Sequence, residues 1–90
     1  MMSVNAQMLH DLLQAQLKPR HLQVLDESAA HAGHAGANGQ GQGTHFRVRI
    51  GAPYLDRLPR LKRHRLVYDA VQDLMQQGIH ALAVEVVQCD

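Results

Sequence analysis

The segment Leu61–Leu82, LKRHRLVYDAVQDLMQQGIHAL, changes its apolar period partway along, and that change decides the fold. Val67, Ala70, Val71, Leu74 and Met75 recur at three- and four-residue spacing, which places them on one buried face of a helix. Gly78 suits a left-handed helix end. From Ile79 to Val87 the chain is apolar and rich in β-branched residues, as a largely covered strand should be. His80 is therefore expected at a helix-to-strand junction, near the end of a sheet, with the rest of the chain packed on this unit.

The helix opens with Lys62-Arg63-His64-Arg65. Cations oppose the partial positive charge of a helix start, and each costs about 0.3–1 kcal/mol when exposed. Two readings stand side by side: a surface for an anionic partner, and a solvated helix face.

Upstream, Pro59 belongs near the first helical turn, and Gly51 to Leu58, with Pro53, turns the chain. Thr44 to Ile50 alternates, with Phe46, Val48 and Ile50 towards a core and His45, Arg47 and Arg49 away from it. Residues 29–43 are Ala, Gly, Asn and Gln around His31 and His34, a composition expected to form a mobile loop. The loop should join antiparallel strands, the first of them holding Leu22 and Val24 and ending at Asp26-Glu27-Ser28. Before that strand, Val4, Met8, Leu9, Leu12, Leu13 and Leu17 form a helical stripe, with Ser3 or Asn5 as cap and Pro19 as stop. The order is α-β-β-α-β. The connection from Ile50 to Ile79 allows a crossover, so the last strand should run parallel to the second. The expected architecture is a two-layer α+β fold: a three-stranded mixed sheet with helices packed on one face, in a single domain spanning residues 1–90.

Ninety residues suffice for one modest core. No window is long and apolar enough for a membrane span, and the N-terminus lacks the pattern of a secretory signal, so a cytoplasmic protein is expected. Cys89, the only cysteine, has no partner for a disulfide and reads as incidental. The net charge of +1 hides a gradient: residues 44–68 carry seven Lys or Arg against one acidic residue, and 69–90 carry none against four. The middle third is a basic patch. Its aromatics, Phe46, Tyr54 and Tyr68, are too few for a base-stacking platform.

No arrangement supports an enzyme. Asp26 and Glu27 are adjacent on a strand end and point to opposite sides, and no strand-turn-helix elbow surrounds Ser28. Gly33-His34-Ala35-Gly36 has the form of a backbone-clamping GxxG, but it lies between strands rather than between helices. Seven histidines are the other departure from ordinary composition. His31 and His34 on the loop and His80 at the sheet end could ligate a metal, provided further ligands came from elsewhere, as at a site shared between two proteins. A core or solvent-exposed role for the same histidines is the competing reading.

Four spaced motifs add to this: Val24-Leu25-Asp26-Glu27-Ser28 followed by His31; Thr44-His45-Phe46-Arg47-Val48; Arg63-His64-Arg65-Leu66-Val67-Tyr68; and Ile79-His80-Ala81-Leu82. With them the chain resembles BolA-like proteins over about residues 9–88. The resemblance implies a class II KH-like fold and a non-enzymatic role in iron–sulfur cluster handling and stress response. It also implies a monothiol glutaredoxin partner with a Cys-Gly-Phe-Ser motif, and a [2Fe-2S] cluster shared with that partner and glutathione, with no cofactor in the isolated chain. By the same resemblance, the strand ligand falls on His80 and the loop ligand on His31, with His34 a rival. Arg63 and Arg65 would lie near the partner surface. Some relatives are described as transcriptional regulators, which makes DNA the alternative partner of the basic segment. A homodimer of the free chain is compatible with both. The sequence departs from many members at Tyr54-Leu55-Asp56, where those have Phe and Gly, and this bears on any nucleic-acid surface built on that turn.

Overall fold

Strand β2, His45–Gly51, is the centre of a three-stranded sheet whose order is β1-β2-β3. The computed structural model describes residues 4–28 and 44–89. β1, His21–Asp26, runs antiparallel to β2 with Leu22 opposite Ile50, Val24 opposite Val48 and Asp26 opposite Phe46. β3, Ala81–Val86, runs parallel to β2 with Phe46 beside Leu82, Val48 beside Val84 and Ile50 beside Val86. Because side chains alternate along a strand, this register puts every one of those apolar residues on one face. His21, Gln23, Leu25, His45, Arg47, Arg49, Ala81, Ala83 and Glu85 share the other face.

The helices cover the apolar face. Helix α1, Ala6–Leu17, starts where the Asn5 side chain accepts a hydrogen bond from the Met8 amide at 2.8 Å. It ends at Lys18, in the left-handed region at φ 46°, just before Pro19. Its Leu9 and Leu13, with Val4 just ahead of it, are buried in one core with Phe46, Val48 and Ile50. A short helix α2, Pro53–Asp56, buries Leu55 inside a segment whose sequence reads only as a turn. Helix α3, Arg60–Ala70, follows Pro59 at its cap position and buries Val67. The expected long helix is interrupted at Val71, where the amide is shared between the Val67 and Tyr68 carbonyls, both at 3.3 Å. A last turn, α4, spans Gln72–Met75. Val71 itself is fully buried, so the apolar face is kept across the irregularity. Gly78 has φ 103°, the left-handed conformation expected of it.

The far end of β2 closes tightly. A Cβ on Gly51 would come within 2.9 Å of both the Val87 carbonyl oxygen and its Cγ2, so only glycine fits there. Cys89 is buried beside it, its amide donating to Asp56 Oδ2 at 3.0 Å. The remaining expectations of the fold hold: α+β, two layers, a mixed three-stranded sheet and helices on one face.

Candidate functional site

At the opposite end of the sheet, where β1 stops and β2 begins, polar side chains are buried together. Ser28 is 1% exposed, Thr44 4% and His45 6%. The Ser28 hydroxyl accepts from the Thr44 amide at 2.9 Å and the His45 amide at 3.0 Å, and donates to the His45 carbonyl at 3.4 Å. The Ser28 amide in turn donates to Asp26 Oδ1 at 2.9 Å. One hydroxyl thus pins both ends of the 29–43 segment, whose own residues lie outside the description. The Thr44 hydroxyl meets His45 Nδ1 at 2.9 Å.

His80 completes this end. It precedes β3, its amide donates to the Thr44 carbonyl at 2.8 Å, and its side chain is exposed. Its ring centroid lies 5.2 Å from that of His45, with the planes tilted by 48°. The backbone of His80 is therefore fixed to the same residue that anchors His45, while its imidazole stays accessible. His45, expected to point outward to solvent, does lie on the outer face, yet it is buried. The alternation predicts the face correctly. The ring beside it, that of His80, is distant in sequence, and the pattern does not reveal that. Ser28, which the sequence offers only as an unsupported nucleophile and as part of a motif, has a structural role that depends on Thr44 and His45 returning beside it.

His31 and His34 fall outside the described residues. Of the basic residues opening α3, Lys62 and Arg65 are exposed. Arg63 is half-buried, donating to the Leu58 carbonyl at 2.7 Å and the Asp56 carbonyl at 2.9 Å, so it ties the α2–α3 turn to the helix start. His64 sits partly covered beside it. These four residues lie on α3, away from the Ser28–His45–His80 end.

The outer face carries a chain of charges. Arg47 Nε contacts Glu27 at 3.1 and 3.2 Å, its Nη1 reaches Glu85 at 2.7 Å, and Arg49 Nε meets the other Glu85 oxygen at 2.7 Å. Hydrogen bonding from Arg49 holds the Glu85 carboxyl below its usual pKa, and Arg47 adds to the effect. Two of the seven cations of the basic segment are thus matched by acids from neighbouring strands. Tyr54 and Tyr68 also spend their hydroxyls internally, on the Leu17 and Leu82 carbonyls. Burial raises the Tyr54 pKa. Cys89, read as incidental, is buried.

Among the described residues no three His, Cys, Asp or Glu side chains gather as a metal site, and no helix is long and apolar enough to cross a membrane. Among the described residues the polar end offers two imidazoles, the exposed ring of His80 and the buried ring of His45 beside it. Such a set suits an iron–sulfur cluster only if other ligands are supplied by a second molecule, which is the arrangement a shared cluster requires.

The family profile described as "BolA-like protein" matches residues 13–89. The chain is 39% identical over 80 residues to "Protein BOLA1, chloroplastic" of Arabidopsis thaliana, covering 88% of this chain and 50% of that protein. It is 40% identical over 79 residues to "SufE-like protein 1, chloroplastic/mitochondrial" of the same plant, covering 84% of this chain and 21% of the relative. The match thus spans half or less of those relatives. A solved structure of BolA1 from Arabidopsis thaliana superposes with TM-score 0.79 at 35% identity, over 98% of this chain and 95% of that one. The solution structure of BolA1 from Mus musculus gives 0.71 at 31% identity, over 92% and 63%.

Proposed function

The chain belongs to the BolA-like family, and on that premise we propose that it is a non-enzymatic adaptor that shares a [2Fe-2S] cluster with a monothiol glutaredoxin. The observation that carries this reading is His80: an exposed imidazole on a backbone bonded to Thr44 and set beside His45. A rigid backbone under an accessible ring lowers the ordering cost of presenting that ring to a second protein. In this reading His80 and a loop histidine, His31 or His34, hold the cluster from this side, and the partner and glutathione supply thiolates. When bound, the cluster would supply one-electron redox chemistry, at a potential raised by imidazole in place of thiolate.

The chain's own contribution is positional. Ser28 fixes where the 29–43 segment leaves and returns, and Thr44 fixes the backbone of His80, so both proposed ligand regions are anchored to Thr44 and His45 where β2 begins. Lys62 and Arg65, exposed on α3, are free to meet acidic groups of a partner. Two relatives have chloroplastic in their names, so the cytoplasmic expectation is a proposal of this reading rather than a property of the family.

Co-expression with a monothiol glutaredoxin and anaerobic purification tests the proposal. The expected result is a heterodimer by native mass spectrometry, with absorption and circular dichroism bands that change in His80→Ala while its fold is kept. His31→Ala and His34→Ala separate the loop ligands. Spectra unchanged in His80→Ala would remove that residue from the cluster. DNA binding is the second reading, favoured by Arg57, Arg60, Lys62 and Arg65, which are exposed along one segment. It predicts affinity that falls steeply with salt and in Arg65→Ala. Because Arg47 and Arg49 are paired with Glu27 and Glu85, it rests on fewer charges than the sequence count suggests.

A further inference from the structure

The free edge of β3 is not used by the cluster reading. The backbone hydrogen bonds fix which of its groups face outward. The Val87 amide donates to the Ile50 carbonyl at 2.8 Å and the Ala81 amide to the Thr44 carbonyl at 3.2 Å. With the parallel register, the odd-numbered residues of β3 therefore turn their backbone groups towards β2. Leu82, Val84 and Val86 turn theirs to the edge. The Leu82 carbonyl is occupied, accepting from the Tyr68 hydroxyl at 2.6 Å. The amides and carbonyls of Val84 and Val86 face no further strand among the described residues.

Beside them lies a cavity of about 290 Å³, walled by Arg60, Arg63 and His64 of α3 and by Val84, Glu85 and Val86. Its two arginines outnumber its one acid. Glu85, the acid in its wall, is held by Arg47 and Arg49 at 2.7 Å each, and Arg63 remains a cation while bonded to two carbonyls. Leu61, 69% exposed, is next to Arg60 and His64 on the outer rim.

We propose that this edge takes an extended acidic segment of a partner protein as a fourth strand. Its backbone pairs with Val84 and Val86, its carboxylates lie on Arg60 and His64, and an apolar side chain rests on Leu61. A strand edge offers alternating donors and acceptors that match a peptide backbone. No Phe, Tyr or Trp walls this cavity, so a nucleic acid would find none of those rings to stack on there. A second copy pairing β3 to β3 would bring two sets of α3 arginines to one seam, which the bound Glu85 would not offset. At a strand rise of about 3.3 Å per residue the groove centre is on the order of 15 Å from His80, so its occupancy is independent of that residue.

Hydrogen exchange followed by NMR on the ¹⁵N-labelled full chain tests this. The probe is a capped Val-Glu-Val-Asp-Val-Glu-Val peptide, compared with its all-Lys counterpart and a single-stranded oligothymidylate. At peptide near ten times Kd, the Val84 and Val86 amides should exchange about tenfold more slowly. Arg60→Glu should weaken binding roughly fivefold. Val86→Pro should abolish it, because proline removes an outward amide and no ladder bond. His80→Ala should bind as the wild type does. Four outcomes would each overturn the proposal: no protection of these amides, equal effects from the Lys peptide, equal effects from the oligonucleotide, or self-association through the same amides without peptide.

Discussion

The two ends of the sheet are built from opposite materials. At one end Ser28, Thr44 and His45 are buried polar groups bonded to each other, and an exposed His80 stands beside them. At the other, Gly51 is pressed against Val87, and Cys89 is drawn in by Asp56. Both ends are closed, but differently. The apolar end is closed by the absence of a side chain. The polar end is closed by hydrogen bonds whose loss leaves donors without partners. A buried polar node costs more to break than it contributes when made, so such a node suits a place where geometry must be held. His80, the ligand proposed above, stands there.

Ser28→Ala should give the largest effect. It strands the amides of Thr44 and His45, each a buried donor worth about 1–3 kcal/mol, and a loss of about 3 kcal/mol in urea unfolding is expected. The His45 and His80 ring resonances should move as well. Unmoved rings would show that the node holds the segment ends without orienting the histidines.

Gly51→Ala should act on the other end. The added Cβ meets a backbone oxygen that has no room to retreat, so a loss of about 1–3 kcal/mol is expected. Here the histidine resonances should stay in place. If they move, the two ends are coupled through β2 and the contrast between them fails. Tyr68→Phe acts between them, since Tyr68 stands on α3 and its hydroxyl reaches the Leu82 carbonyl of β3. Losing the hydroxyl that caps Leu82 should cost about 0.5–1.5 kcal/mol by the same unfolding measurement, and should speed exchange near Leu82 alone.

The apolar face was open to reading from sequence far more than the polar end. Alternation in Phe46, Val48 and Ile50, the stop at Pro19 and the conformation of Gly78 are local properties, and each holds in the fold. The position of His80 at a strand start follows from the change of period alone. The burial of His45 does not, because its backbone is bonded to Ser28, 17 residues earlier, and the ring beside its own is that of His80, beyond the crossover. Nor do the partners of Arg47 and Arg49. A basic count over residues 44–68 treats them as free, whereas the strand register places Glu27 and Glu85 against them. Arg63 likewise reads as a surface cation and is bonded into the α2–α3 turn. In this chain, side chains whose role is set by period could be assigned, and those whose role is set by register could not.

The outer face between the two ends gives the smallest effect, and its sign follows from Glu85. Hydrogen bonding from Arg49 is the largest influence on the carboxyl; burial comes next and opposes it, and attraction to Arg49 with the contacts from Arg47 leaves the folded pKa below its ordinary 4.5. A depressed acid stabilises the fold fully above its unfolded pKa and loses that contribution as pH falls through the folded value. Wild type should therefore have a slightly higher Tm than Glu85→Gln at pH 7, and the two should converge as the pH is lowered below 4.5. Added salt should shrink the difference at neutral pH, since these side chains are partly in solvent. A difference that grew on acidification would mean that Glu85 is held by something other than its two arginines. The same salt series run on Ser28→Ala should leave its loss unchanged, because a neutral buried node is not screened.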